Sequence, residues 1–138
     1  MDKEQIIRRI NNKIQNTMTS TIGIEVTDYN DDFICGKMPV DERTIQPWGL
    51  LHGGASVALA ETLGSIGGGI KAKQNNEKVV GIEVNANHLK SARDGWVHGK
   101  SIPIKIGRKI QVWETKITDE NNDLICISRL TLAVLKEK

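Results

Sequence analysis

The sequence predicts an α+β domain: a curved antiparallel sheet wrapped around one long helix, with a short helix at the N-terminus. Three observations carry this. From Gly53 to about Ile70 runs a segment of small and aliphatic residues with a single charged member, Glu61. Apolar residues alternate with polar ones on both sides of that segment, the period of a half-buried strand. Polar clusters such as Asp94-Gly95 and Asn121-Asn122-Asp123 separate the later runs, and short turns between consecutive strands predict antiparallel pairing. One helix layered on one sheet satisfies the rule that each element buries its apolar face on another.

Taken in order, Ile6, Ile7, Ile10 and Ile14 stand at helical spacing among Lys, Arg, Glu and Asn, which predicts an amphipathic helix over 3–16. Residues 1–18 are expected to pack on the rest of the domain. Ile22, Ile24 and Val26 alternate within 19–27 and predict a strand; 28–32 (Asp-Tyr-Asn-Asp-Asp) reads as a turn into a second strand over 33–40. A polar loop through Asp41-Glu42-Arg43-Thr44 and Pro47 leads to the long helix. That helix has no polar face, which predicts enclosure on most sides. Its glycines each cost roughly 1 kcal/mol relative to Ala, so close packing under the sheet is expected to retain them. Residues 71–78 read as an exit loop. Val80, Ile82, Val84 and Ala86 mark a third strand, followed by strands over 96–106, 109–118 and 124–135.

At 138 residues, with 38% hydrophobic and 26% charged side chains and a net charge of +2, the chain is expected to be one folded domain, 1–138. This balance offers no electrostatic case for nucleic acid, and the aromatics form no stacking row. Residues 1–10 lack the apolar core of a signal peptide. Glu61, with the glycines and hydroxyl residues around it, argues against a membrane span over 53–70. Cys35 and Cys126, each in an apolar run, are expected to be buried free thiols, as in a reducing cytoplasm.

Several chemistries drop out. His52, His88 and His98 are scattered, with no zinc spacing. Gly67, Gly69 and Ala72 match a dinucleotide fingerprint but end a helix instead of opening one. There is no phosphate-loop lysine and no nucleophile elbow.

What remains is 46–54, Gln-Pro-Trp-Gly-Leu-Leu-His-Gly-Gly, running into Glu61. The first N–H groups of a helix lack intrahelical partners and carry the positive end of its dipole. Gly53 N–H is therefore a candidate oxyanion donor, or Gly53-Gly54 merely turn the chain. Glu61 is nine residues beyond His52, which is 180° around the axis and roughly 13 Å along it. Within one chain the two groups cannot converge, whereas across a two-fold axis they can. A catalytic site would thus be composite. Ser65, one turn after Glu61, either holds the carboxylate or a water or is a packing residue; Glu61 itself is alternatively an ion pair with Arg43. Gln46 meets a substrate carbonyl, positions water or is merely solvated, and His52 either acts on substrate or holds the loop. The run from Lys90 to Lys109 carries Lys90, Arg93, Lys100, Lys105, Arg108 and Lys109 against Asp94, a solvated face or a seat for phosphates.

These residues resemble the hotdog-fold acyl-CoA thioesterases of the phenylacetate and hydroxybenzoyl type. The likeness is strongest to the branch of bacterial 1,4-dihydroxy-2-naphthoyl-CoA hydrolases of menaquinone biosynthesis. It covers about 38–133, through 38–44 (Met-Pro-Val-Asp-Glu-Arg-Thr), 50–56 (Leu-Leu-His-Gly-Gly-Ala-Ser), Ala60-Glu61, Gly64-Ser65, 79–88 and Ser91-Ala92-Arg93, to Gln111-Val112-Trp113 and Ser128-Arg129-Leu130. The resemblance implies Glu61 as catalytic carboxylate, either nucleophile or general base, and Gly53 as oxyanion donor. It implies Gln46 and His52 as groups that orient the thioester carbonyl, and Ser65 as an aid to water. Coenzyme A contacts are implied at Gly81, at His88, Leu89, Lys90 and Ser91, and at Lys105, Ile106, Gly107, Arg108, Lys109 and Ile110. It further implies no separate cofactor, coenzyme A being part of the substrate, and a dimer with shared sites, paired into a homotetramer. Trp48 departs from the smaller aromatic expected after Pro47, which bears on the size of the acyl group.

Overall fold

The computed structural model describes residues 1–137. Its elements run α1 (Lys3–Lys13), α2 (Met18–Thr21), β1 (Glu25–Asn30), β2 (Phe33–Pro39), α3 (Gly53–Lys73), β3 (Glu77–His88), β4 (Trp96–Ile106), β5 (Ile110–Thr118) and β6 (Leu124–Lys136). All pairings are antiparallel, in the order β1-β2-β4-β5-β6-β3. This is the hotdog arrangement, a sheet curled around α3.

α1 opens on a reciprocal cap, Asp2 accepting from Gln5 N while Gln5 accepts from Asp2 N. It stops three residues short of the expected end, and Asn16 takes a left-handed φ of 62°. The side chain of Asn11 then donates to Val26 O and accepts from Val26 N, both at 2.9 Å. It thereby supplies the partner that the exposed edge of β1 would otherwise seek.

The strand expected over 19–27 is corrected. Residues 18–21 make a helical turn, because the hydroxyls of Ser20 and Thr21 both donate to Thr17 O, a local bond that competes with strand pairing. Gly23, at φ 82°, then swings the chain into β1; a Cβ there would stand 2.7 Å from Pro39. The turn expected over 28–32 shrinks to Asp31-Asp32, closed by Asn30 Oδ1 accepting from Asp32 N and Phe33 N.

Strand order is the larger correction. The expected succession of short turns holds for β4-β5-β6, but β3 leaves β4 and pairs with β6 over Glu77↔Lys136 to His88↔Cys126. The connection 89–95 is a crossover, tied by Leu89 N to Ile125 O, Leu51 N to Ala92 O and Val40 N to Gly95 O, each 2.8 Å. Alternation specifies the buried face of a strand and says nothing of its neighbour.

α3 extends to Lys73, past its expected end. It seats Leu59, Leu63, Gly64, Gly67 and Gly68 on a core of Ile34, Met38, Val97, Ile117, Leu130 and Leu132. Its glycines are there for contact: a Cβ on Gly67 would lie 2.6 Å from the Trp113 ring, and one on Gly68 would collide with Leu132. Beneath them Gln111, 2% exposed, donates to Gly68 O and accepts from Trp113 Nε1, so the buried indole N–H is satisfied. Enclosure on most sides is not found. The stripe Gly54, Val57, Ala58, Glu61, Thr62, Ser65 and Ile66 is only half-buried or exposed. Cys126 is buried and Cys35 half-buried, both free, and burial pushes both thiols up. Among the described residues no helix is long and apolar enough to cross a membrane.

Candidate active site

The start of α3 is built by its own cap. His52 Nδ1 accepts from Gly54 N at 2.8 Å, and His52 O accepts from Ala55 N and Ser56 N at 3.0 and 3.3 Å. Of the four first-turn amides only Gly53 N–H is left without a partner among the described residues. Because Nδ1 accepts, the neutral His52 ring carries its proton on Nε2. The loop before the cap is firm: His52 N donates to Thr44 O, and the buried Thr44 hydroxyl donates to Pro39 O at 2.7 Å.

Gln46 is fixed in the same manner. Its Oε1 accepts from Trp48 N at 2.6 Å and Leu50 N at 3.2 Å, while its backbone N donates to Leu50 O. Two donors on one atom assign that atom as the oxygen, so the NH₂ is the end left to meet a ligand. Gly49, at φ 81°, closes this turn. Trp48 is carried at its tip, 83% exposed, and borders none of the cavities described below.

Gln46, Leu50, Gly53, Ser56, His88 and Ser91 line one cavity of about 410 Å³. Glu61 and Ser65 border another, of about 530 Å³, with Val57, Ala58, Thr62 and Met18. The structure thus brings Gln46 and Gly53 together and keeps Glu61 and Ser65 apart from them. Arg43 pairs with Asp41 at 2.7 Å and not with Glu61, which has no ion pair among the described residues; the Asp41 bond is what raises Arg43 and holds Asp41 below the usual carboxylate range.

The residues expected to contact coenzyme A divide as well. His88, Leu89, Lys90 and Ser91 lie at the end of the sheet where Thr118 and Leu124 sit, whereas 105–110 form the β4–β5 hairpin at the opposite end, about 30 Å along β4. Gly107 makes that hairpin tight, its N donating to Ile110 O at 2.9 Å. Gly81 stands with Glu61 instead of with either group. Lys90 is not a free cation: Nζ donates to Asp119 and Asp123 at 2.9 and 2.6 Å. These bonds raise Lys90 and lower Asp119.

Sequence reasoning did not anticipate that His88 lies on Gly53. Its Nε2 is 2.8 Å from the point where Gly53 would carry a Cβ. Nor did it anticipate the clip from Asp119 and Asp123 to Lys90, since no linear pattern joins residues 29 and 33 apart.

Residues 49–126 match the family described as the thioesterase superfamily. This chain belongs to that family. The thioesterase is 48% identical over 121 residues to the 1,4-dihydroxy-2-naphthoyl-CoA hydrolase of Escherichia coli (strain K12), covering 88% of each chain. It is 47% identical over 119 residues to the proofreading thioesterase EntH of Cronobacter turicensis, covering 86% of each. A thioesterase crystal structure from Haemophilus influenzae superposes with a TM-score of 0.91 at 47% identity, over 94% of this chain and 90% of that one. The thioesterase is an enzyme that hydrolyses thioesters.

Proposed function

We propose that this thioesterase hydrolyses an aromatic acyl-CoA, with 1,4-dihydroxy-2-naphthoyl-CoA the leading substrate, at sites composed from two copies of the chain. One observation carries the chemistry: the Gly53 N–H is the sole first-turn amide of α3 left free among the described residues, and Gln46 has its oxygen tied back and its NH₂ released. Donors held this way suit the oxygen of a thioester as it gains charge, each worth about 3–4 kcal/mol in a preorganised site. The His52 Nε2 proton is a further donor at the same helix end, on the neighbouring cavity lined by Thr44, Ile45 and Ala58. Glu61, standing apart in one chain, is the carboxylate that a second copy contributes, either to draw a proton from water or to attack directly. Ser65 in the same cavity supports it.

The dimer is supported by what one chain leaves unfinished. β3 is an edge strand whose Val80 and Ile82 are 46% and 58% exposed, and the half-buried stripe of α3 lies beside it. Pairing two copies there would complete both cavities and bring the 88–91 and 105–110 segments of different chains within reach of one long ligand. A second pairing would make the tetramer, and the reading is that of a cytoplasmic enzyme.

The similarity to a dihydroxynaphthoyl-CoA hydrolase favours that acyl group. The similarity to a proofreading thioesterase favours a second reading, a broad-specificity enzyme that clears misplaced acyl groups. Thiol release measured over a panel of aromatic and medium-chain acyl-CoAs decides between them. A kcat/KM peak at the naphthoyl thioester supports the first, an even profile the second, and binding without thiol release from any member overturns both.

A further inference from the structure

We propose that His88 is the proton donor to the departing sulfur. The proposal rests on the reading that the thioester oxygen binds at Gly53 N–H. The three histidines are committed differently. His52 caps α3 through Nδ1, and His98 Nε2 lies 2.9 Å from Glu120. The ring of His88 makes no hydrogen bond among the described residues, yet its Nε2 lies 2.8 Å from the point where Gly53 would carry a Cβ, and the residue borders the same cavity as Gln46 and Gly53.

Alternative donors nearby are poorer. Lys90 Nζ is drawn toward Asp119 and Asp123. Ser56 and Ser91 are hydroxyls, weak acids in water, whereas imidazole is the side chain suited to proton transfer near neutrality. A thioester places its sulfur one bond from the carbonyl carbon. An oxygen held at Gly53 N–H therefore brings the sulfur to the wall that His88 forms.

Once water or Glu61 has added to the carbonyl carbon, the oxyanion held by Gly53 re-forms the carbonyl and the C–S bond breaks. The bond's electron pair goes to sulfur, protonated His88 delivers its Nε2 proton there, and coenzyme A leaves as the thiol. His88 is reprotonated from solvent. Where water has added directly, its first proton passes through Glu61 to solvent and the acid formed releases the second. Where Glu61 has attacked, water then cleaves the acyl–Glu61 anhydride, restoring the carboxylate and releasing the same two protons. Either way the sum is thioester plus water to carboxylate, thiol and one proton.

The test compares two thioesters of one acyl group, benzoyl-CoA and S-phenyl thiobenzoate, the second carrying a thiophenolate that departs without a proton. His88→Gln should lower kcat for benzoyl-CoA by about 10²–10⁴-fold while the phenyl thioester loses less than roughly tenfold. With His88→Ala, added imidazole should restore benzoyl-CoA turnover in a saturable manner. Equal losses on both substrates, or benzoyl-CoA turnover by His88→Gln within about threefold of the parent, would overturn the role. Glu61→Gln should lose both substrates equally; if it retains both, the underlying site reading fails whatever His88 does.

Discussion

The Glu61 carboxylate rests against Gly81: its Oε2 is 3.0 Å from the point where Gly81 would carry a Cβ. A helix residue and an edge-strand residue, remote from the Gly53 cavity, are thereby registered on each other at the one carboxylate of α3. The β3–β6 register shifts between Gly81 and Glu83, and bulges commonly re-aim side chains beside active sites.

Gly81→Ala should therefore separate stability from activity. The added methyl meets the end of a flexible side chain, so the denaturation midpoint should move little, within about 0.5 kcal/mol. Turnover should fall by up to roughly 10²-fold, because about an ångström of displacement of a reacting group costs that much. Denaturant melts alongside thiol-release kinetics check both halves; unchanged kcat would show that Glu61 tolerates the shift.

Glu61→Gln should lose about 10²–10⁴-fold in kcat with unchanged circular dichroism and coenzyme A affinity. The side chain is half-buried and makes no ion pair among the described residues, so the neutral amide disturbs no charge partner. Near-parental hydrolysis would remove Glu61 from the chemistry.

His52 caps α3, and the proposed site gives it a second, separable job. His52→Ala should cost about 1 kcal/mol through the lost cap on Gly54 N and also lower kcat. His52→Asn restores a good capping oxygen without the Nε2 donor. Thermal melts should recover for Asn while turnover stays low; recovery of turnover would assign His52 to the cap alone.

Gly68→Ala tests the packing of α3. The methyl would collide with Leu132 and stand 2.7 Å from Gln111 Oε1, and overpacking of this kind costs about 1–3 kcal/mol. Urea denaturation should report that loss, while KM of the folded fraction stays unchanged because neither candidate cavity is touched.

The Lys90 clip carries a pH signature. Asp119 is held below the ordinary carboxylate range, first by the Lys90 bond, so its contribution is present above the unfolded carboxylate pKa and is lost as pH falls through the depressed folded value. Lys90 is raised, chiefly by Asp123 and then Asp119, so its share is complete below the unfolded lysine pKa and fades as pH rises through the folded one. The 88–92 segment should exchange amide hydrogens slowly across the neutral range and faster at acid pH, and Asp119→Asn should exchange fast throughout. Identical exchange in parent and variant at neutral pH would show that the clip does not hold the segment.

By itself the sequence determined what is local. A run of small residues with Glu61 inside it specified α3, since a helical face and its start are written in residues three and four apart. The same logic located Gly53 at the helix end and showed that His52 and Glu61 could not meet within one chain. It failed where a local bond outcompeted a pattern, as at 18–21, where the hydroxyls of Ser20 and Thr21 closed a turn on Thr17. Only tertiary structure decided that β3 pairs with β6, that His88 lies on Gly53, that Lys90 belongs to Asp119 and Asp123, and that 88–91 and 105–110 stand at opposite ends of the sheet. Alternation encodes which side of a strand is buried and leaves its neighbour open; that neighbour is chosen by packing around α3, through contacts between residues far apart in the chain.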